Sequence, residues 1–318
     1  MFSKTIKIYI AGHNGMVGSE CLNTLKNAGY NNLIYKSFNE LDLRNQNQVY
    51  NFINKEKPSI IVNAAAKVGG ILANDSKPYD FIMDNLLIQN NLIDSAFKLN
   101  IEKFIFLGSS CIYPKFSKQP IKEEYLLTGD LEPTNQWYAI AKISGVKLIE
   151  SLRKQHNCNY TALMPTNLYG PNDNFDLKSS HVLPSMIRKF HEAKKNNSEV
   201  VKLWGTGSPK REFLHVNDLA KAVLFLIEND CNSHIYNVGS GIDLTIKKLA
   251  QTVKKIIGYN GKIYWDLNKP DGTPRKLLDS SKIKDLGWKH EINLNDGIKS
   301  TYNWFLNNET KLRKLKIN

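Results

Sequence analysis

The sequence predicts a doubly wound α/β fold, a parallel sheet covered by helices on both faces, followed by a smaller C-terminal α/β region. Two patterns predict it. Short apolar runs alternate with longer helical stretches from the start of the chain through Met164, as repeated β-α-β units require. Beyond Pro171 the segments shorten, and Gly, Pro and Asn punctuate them at Gly170-Pro171-Asn172, Gly205-Thr206-Gly207 and Pro270-Asp271-Gly272.

Residues 6–11 read as a buried strand and 17–27 as the helix that follows. A second strand is expected at 33–36, a helix at 46–56, and a third strand at 59–62 behind Pro58. The stretch 80–99 is a long helix with apolar Ile82, Leu86, Ile93 and Phe97. Residues 104–107 form the fourth strand, 138–156 a helix with Ile140, Ile143, Ile149 and Leu152 on its apolar face, and 160–164 the next strand. Further helices fall at 182–194, 216–228, 246–258 and 294–306. The expected division is a nucleotide-binding domain over 1–170 with a return segment near 212–240, and a substrate-binding domain over 171–211 and 241–318.

Composition narrows the partners. The chain has 318 residues, 42% hydrophobic and 23% charged, which excludes disorder as its main state and is enough to bury a core without disulfides. It has no apolar run long enough to span a membrane, and its first strand follows closely on Met1, so neither a membrane partner nor a signal peptide is expected. Cys21, Cys111, Cys158 and Cys231 lie far apart with no metal-ligand spacing, which points to free thiols, no metal and a cytoplasmic setting. Lys and Arg exceed Asp and Glu by 43 to 30, a net +13 that favours an anionic partner. No helix-turn-helix, zinc-finger or RNP signature is present, so a phosphate-bearing small molecule is expected and nucleic acid is not. The basic tail over 311–316 reads as an exposed end.

The first strand runs into Gly12-His13-Asn14-Gly15-Met16-Val17-Gly18. Glycines let the backbone turn tightly and approach a pyrophosphate, and a helix N-terminus behind them offers free N–H groups. Such a turn can be purely structural. Its place at the first strand–helix junction favours a nucleotide and a Rossmann-type sheet. After the second strand stands Lys36, where an acidic residue would bind the ribose hydroxyls of NAD; a cation there suits the 2′-phosphate of NADP, although it can also be a plain surface lysine. Asp42 follows and could reach the adenine amine. Asn63-Ala64-Ala65-Ala66 carries small side chains where a backbone must pass a dinucleotide.

Tyr138 and Lys142 are four residues apart, one helical turn, so both leave the same face. A free phenol has a pKa near ~10; a neighbouring ammonium is expected to stabilise its anion and let it exchange a proton with a carbonyl or hydroxyl oxygen. The fourth strand ends in Ser109-Ser110, which puts a hydroxyl near the same oxygen. Glycine turn, serine and Tyr-x-x-x-Lys together resemble the extended short-chain dehydrogenase/reductase family over the whole chain.

Longer blocks sharpen the likeness. Residues 63–71, 107–114, 164–171, 180–184, 211–216 and 269–276 are similar, in order, to the GDP-L-fucose synthase (GDP-4-keto-6-deoxymannose 3,5-epimerase/4-reductase) subfamily. That resemblance implies bifunctional epimerisation and NADPH-dependent reduction of a GDP-4-keto sugar. It implies Tyr138 and Ser109 at the ketone oxygen, Lys142 at the tyrosine and the nicotinamide ribose, and Cys111 and His181 as the epimerisation acid/base pair. At the cofactor it places residues 12–18, Lys36, Asp42, Ala64, Ala65, Leu107, Gly108, Ser109, Ser110, Tyr138, Lys142, Pro165, Thr166, Asn167, Leu168 and His181. At the substrate it places Asn167, Lys189, Trp204, Arg211, Lys262 and Lys276, the cations suiting GDP phosphates and Trp204 the guanine or ribose. A homodimer through the helices at 80–99 and 138–156 is implied as well.

Two departures weaken the expected NADP preference: Asn14 and Phe38 stand where some relatives carry basic residues. Three alternatives remain. The same machinery could act on a 3,6-dideoxy hexose or a 6-deoxy heptose; the chain could be a reductase only; or it could bind NADP without catalysis. The presence of Cys111, His181, Ser109, Tyr138 and Lys142 counts against the last two.

Overall fold

The computed structural model describes residues 2–177, 179–230, 232–269 and 271–312. Cys231 and the basic tail from position 313 onward lie outside them.

The first half builds β1 (Ile8–Ala11), α1 (Met16–Asn27), β2 (Leu33–Ile34), α2 (Gln46–Glu56), β3 (Ile60–Asn63), α3 (Ile71–Ser76), α4 (Pro78–Lys98), β4 (Lys103–Leu107), α5 (Gln136–His156) and β5 (Tyr160–Pro165). It is followed by β6 (Asn167–Tyr169), α6 (Val182–Lys195), β7 (Val200–Trp204), β8 (Lys210–His215), α7 (Val216–Glu228) and β9 (Ile235–Val238). The chain then forms β10 (Asp243–Thr245), α8 (Ile246–Ile257), β11 (Lys262–Asp266), β12 (Arg275–Lys276), α9 (Ser281–Asp285) and α10 (Leu294–Asn308).

Six parallel strands form the central sheet in the order β2-β1-β3-β4-β5-β9. Strand alternation divides its side chains between two cores. Tyr9, Ile61, Phe104 and Phe106 meet Val49, Leu92, Val146 and Ile149 of α2, α4 and α5 on one face. Ile8, Ile10, Ile60 and Val62 meet Leu22, Leu25, Leu219 and Val223 of α1 and α7 on the other. Burial on both faces explains why these strands read as near-continuous apolar runs. The chain passes from β1 outward to β2 and then back across to β3, so the sheet switches direction between β1 and β3, where a doubly wound sheet opens a crevice for ligands.

Helix limits follow local chemistry. Asn45 caps α2 by accepting from the Gln48 N–H at 3.1 Å, and Lys57 ends it in the left-handed region ahead of Pro58. Pro78 opens α4, and Asn157 closes α5 at φ 55°. The expected strand at 33–36 stops at Ile34, because Ser37 turns its N–H and hydroxyl onto the Glu40 carboxylate at 2.8 and 2.6 Å.

The rest packs around a third core, which includes Met186, Ile187 and Phe190 of α6, Leu249 and Val253 of α8, and Phe305 of α10. β8 joins β6 and β12 in parallel and β10 in antiparallel, while β7 pairs with β11. α7 and β9 return to the first sheet. Asp218, wholly buried at the start of α7, accepts from the N–H groups of Glu291 and Ile292 at 3.0 and 3.1 Å and fixes the approach to α10. No described helix is long and apolar enough to cross a membrane.

Candidate active site

Two glycines around the turn from β1 to α1 have no room for a side chain. Gly12 sits at φ +83°, and a Cβ there would fall 2.7 Å from the Ala65 backbone; a Cβ on Gly18 would collide with the Gly12 carbonyl oxygen. Gly15 starts α1 without a side-chain cap, and the first turn carries no acidic residue. The N-terminal N–H groups are therefore available to an anion. His13 stacks on Tyr35 with ring centres 4.5 Å apart, and its Nδ1 is buried without a partner. Asn172 pins the loop before α6 onto this turn by donating to the Asn14 carbonyl oxygen at 3.3 Å and to Ser19 Oγ at 3.2 Å. Ala64 and Ala65 are held at the end of β3 by N–H bonds to the Ala11 carbonyl and to Asn63 Oδ1.

Two of the charged groups expected here already have partners. Lys36 pairs with Glu40 at 3.0 Å, so the position is not the bare cation read from the sequence. Asp42 is gripped by Arg44 through Nε and Nη2, which holds its carboxyl below the usual range, and Arg44 lies 5.2 Å from the Phe38 ring centre.

The ends of β4 and β5 bring the next group together. Ser109 caps the 3-10 turn Ser110–Ile112 by accepting from the Cys111 N–H at 3.2 Å, and its hydroxyl faces Tyr138. Lys142 is buried and donates from Nζ to the Leu107 carbonyl at 2.8 Å; its Nζ lies 5.8 Å from the centre of the Tyr138 ring. The Gly108 N–H bonds the Leu163 carbonyl, with Ser110 buried alongside. Pro165 ends β5, Thr166 and Asn167 both donate to the Glu212 carbonyl, at 3.3 and 2.8 Å, and Leu168 follows in β6.

Burial dominates the electrostatics here, and Lys142 is not among the groups that shift the Tyr138 phenol. Burial, followed by the nearby Cys111, pushes Tyr138 well above its ordinary value, and Ser109 is the group that opposes the rise. Burial also brings Lys142 down to about 7. Tyr138 is thus a protonated phenol, suited to giving a proton.

A cavity of about 840 Å³ opens beside these residues. Ser109, Cys111, Tyr138, Asn167, Leu168 and His181 line it together with Lys189, Trp204, Arg211 and Lys276. His181 occupies the N-cap position of α6 but makes no cap bond; its side chain is exposed to the cavity, and partial desolvation there lowers its imidazole from the ordinary value. Cys111 Sγ lies 3.4 Å from Asn135 Nδ2 and 3.9 Å from Lys276 Nζ. Lys189 and Arg211 are lowered by burial, and Lys269 lies 5.6 Å from the Trp204 ring centre.

Lys262 does not join this group. It stands three residues before the cavity-lining Trp265 on the same strand, hence on the opposite strand face, and its side chain is exposed. Sequence reasoning missed Lys115, Glu132, Asn135, Trp265 and Asp271, which line the cavity. Asn135 could have been sought as the start signal of the helix carrying Tyr138; Lys115 and Glu132 carried no pattern.

The chain belongs to the NAD dependent epimerase/dehydratase family, whose model matches residues 8–239. It is 54% identical over 308 residues to a putative GDP-L-fucose synthase 2 of Arabidopsis thaliana, covering 97% of this chain and 94% of that one. It is 49% identical over 317 residues to the GDP-L-fucose synthase of Escherichia coli (strain K12), covering 96% and 98%. Among solved structures, a GDP-mannoheptose C4 reductase from Campylobacter jejuni with NADP bound superposes with a TM-score of 0.88 at 38% identity, over 96% of this chain and all of that one.

Proposed function

We propose that the chain converts GDP-4-keto-6-deoxy-D-mannose to GDP-L-fucose, by epimerisation at C5 and C3 followed by NADPH-dependent reduction at C4. The observation that carries this reading is that one cavity is lined by Cys111 and His181 as well as by Ser109 and Tyr138. A reductase needs only the second pair.

The residues present fit NADP. The side-chain-free cradle at Gly12 and Gly18, the uncapped start of α1 and the orphaned Nδ1 of His13 suit a dinucleotide pyrophosphate. In this reading residues 12–18, Lys36, Asp42, Ala64, Ala65, Leu107, Gly108, Ser110 and the 165–168 strand end surround the cofactor, with Lys142 and Tyr138 beside its ribose. NADPH, when bound, supplies the hydride that reduces C4. The chain's own residues do the rest. Tyr138 and Ser109 hold the C4 oxygen as hydrogen-bond donors. The carbons beside a ketone are acidic. Cys111, as thiolate, removes a proton from one face at C5 and at C3, with Lys276 and Asn135 facing the charged sulfur. His181 returns a proton to the opposite face. Tyr138, kept protonated by its surroundings, gives its proton to the C4 oxygen in the final step. Lys189, Arg211 and Lys276 meet the diphosphate, and Trp204 packs on the guanine or ribose.

A homodimer through α4 and α5 is part of this reading, supported by exposed Tyr79, Met83, Trp137 and Ile140 on those helices. A cytoplasmic setting belongs to it as well. The likeness to a heptose reductase favours a second reading, the same chemistry on a GDP-4-keto heptose. Incubation with each GDP-4-keto sugar and NADPH, followed by product stereochemistry, separates the two. GDP-L-fucose from the deoxymannose substrate is expected; turnover of the heptose alone overturns the first reading.

A further inference from the structure

We infer that Asn135 is a positioning residue for the thiol of Cys111 and serves proton removal at carbon. The inference rests on the epimerase reading above. Asn135 stands at the N-cap position of α5, where asparagine is favoured because its side-chain oxygen takes up a free helix N–H. Here the side chain makes no cap bond. Nδ2 donates to Cys111 Sγ at 3.4 Å, and Oδ1 is buried without a partner. The residue forgoes its usual structural role and leaves an acceptor orphaned beside a reactive sulfur, an arrangement expected of a site that a ligand completes.

The surrounding turn holds this geometry. Glu132 caps the 3-10 turn Pro133–Asn135 by accepting from the Thr134 N–H at 3.4 Å and its hydroxyl at 3.2 Å, and Lys115 anchors Glu132 at 2.8 Å. Cys111 is fixed from its own side by Ser109. The charged and titratable groups facing the sulfur are Lys276 on β12, Arg211 on β8 and Tyr138 on α5, with Glu132 acting on Arg211. Lys276 brings charge on a flexible stem. Asn135 brings a fixed direction: its N–H occupies one lone-pair lobe of the sulfur and leaves another for the substrate. When the C–H bond breaks, the proton joins sulfur and the electron pair moves toward the ketone oxygen, where Tyr138 and Ser109 donate. The enolate then takes its new proton from His181 on the other face.

Asn135→Asp keeps the shape and replaces the donor with an acceptor; Asn135→Ala removes the amide. Three measurements test the proposal on the full chain. One is the pH midpoint of Cys111 alkylation by iodoacetamide, read on the Cys111 peptide without substrate. The second is solvent deuterium entering C3 and C5 of GDP-4-keto-6-deoxy-D-mannose. The third is melting temperature with NADPH affinity. Both variants are expected to move the midpoint up by about one pH unit, the scale of one hydrogen bond to a charged group. Deuterium entry is expected to fall about tenfold or more. Melting temperature and NADPH affinity are expected to stay at parent values, since no cap bond is lost. A parent-like midpoint and exchange rate overturn the proposal, and so does a loss confined to melting temperature and NADPH binding. If the parent itself exchanges no deuterium, the epimerase reading fails, and the alkylation midpoint decides whether Asn135 governs the thiol.

Discussion

Lys142 donates from its ammonium to the carbonyl oxygen of Leu107, 2.8 Å away, with the ring centres of Phe106 and Tyr138 at 4.6 and 5.8 Å. This lysine is buried, and its pKa falls to about 7. An unfolded lysine titrates near ~10.4, so the unfolded chain binds more protons between pH 7 and that value, and stability rises with pH across the window. Lys142→Met is therefore expected to melt at higher temperature than the parent at pH 8, with the gap closing toward pH 10. Calorimetry across this range checks it. NADPH-dependent reduction is expected to be lost in the same variant.

Tyr138 is the proposed proton donor to C4. Tyr138→Phe is expected to slow NADPH oxidation by about 10²- to 10⁴-fold, the usual weight of a positioned acid. Deuterium entry at C3 and C5 should persist at a reduced rate, because the sulfur and the imidazole remain while the enolate oxygen loses one of its two donors. Stopped-flow absorbance and NMR of the recovered sugar separate the two steps.

Cys111→Ala and His181→Asn are expected to do the reverse. Each should abolish the two inversions, and Cys111→Ala should leave NADPH affinity within about twofold. Equal loss of cofactor binding in both would place these residues elsewhere in the reaction.

Asp173 carries a different signature. Its carboxyl is buried, accepts from the Asn174 N–H at 2.7 Å, and leaves Oδ2 without a partner; burial pushes it up to about 7. The folded state holds a proton there that the unfolded chain releases near ~3.9, so this residue's contribution falls as pH rises from about 4 to 7. Asp173→Asn is expected to raise the melting temperature at pH 8 and leave it near the parent value at pH 4.

Arg211 and Lys262 form a matched pair of tests. Arg211 lines the cavity and Lys262 faces away from it. Arg211→Ala is expected to raise KM for the GDP-sugar about tenfold or more, the scale of one charge-assisted hydrogen bond. Lys262→Ala should leave it unchanged.

The sheet strands and long helices were legible because burial on two faces leaves continuous apolar runs, and amphipathic helices leave a period. α7 was expected over the very residues it occupies, 216–228. None of the strands β6 to β12 was read: β6, β10 and β12 have too few residues to set a period, and β7, β8, β9 and β11 lie where Gly, Pro and polar residues break up the chain. Long-range contact decided the rest of the site. Glu40 pairs Lys36, an ion pair that spacing permits but does not require. Strand alternation excludes Lys262. Asn135 reads as a helix-start residue, and only the fold brings Cys111 within 3.4 Å of it.

In the proposed function one cavity both inverts and reduces the sugar. The most direct measurement is incubation of GDP-4-keto-6-deoxy-D-mannose with the enzyme in D₂O, followed by NADPH and NMR of the product. Deuterium at both C3 and C5 of GDP-L-fucose is the predicted result. A reduced sugar with protium at both carbons and unchanged configuration would contradict it.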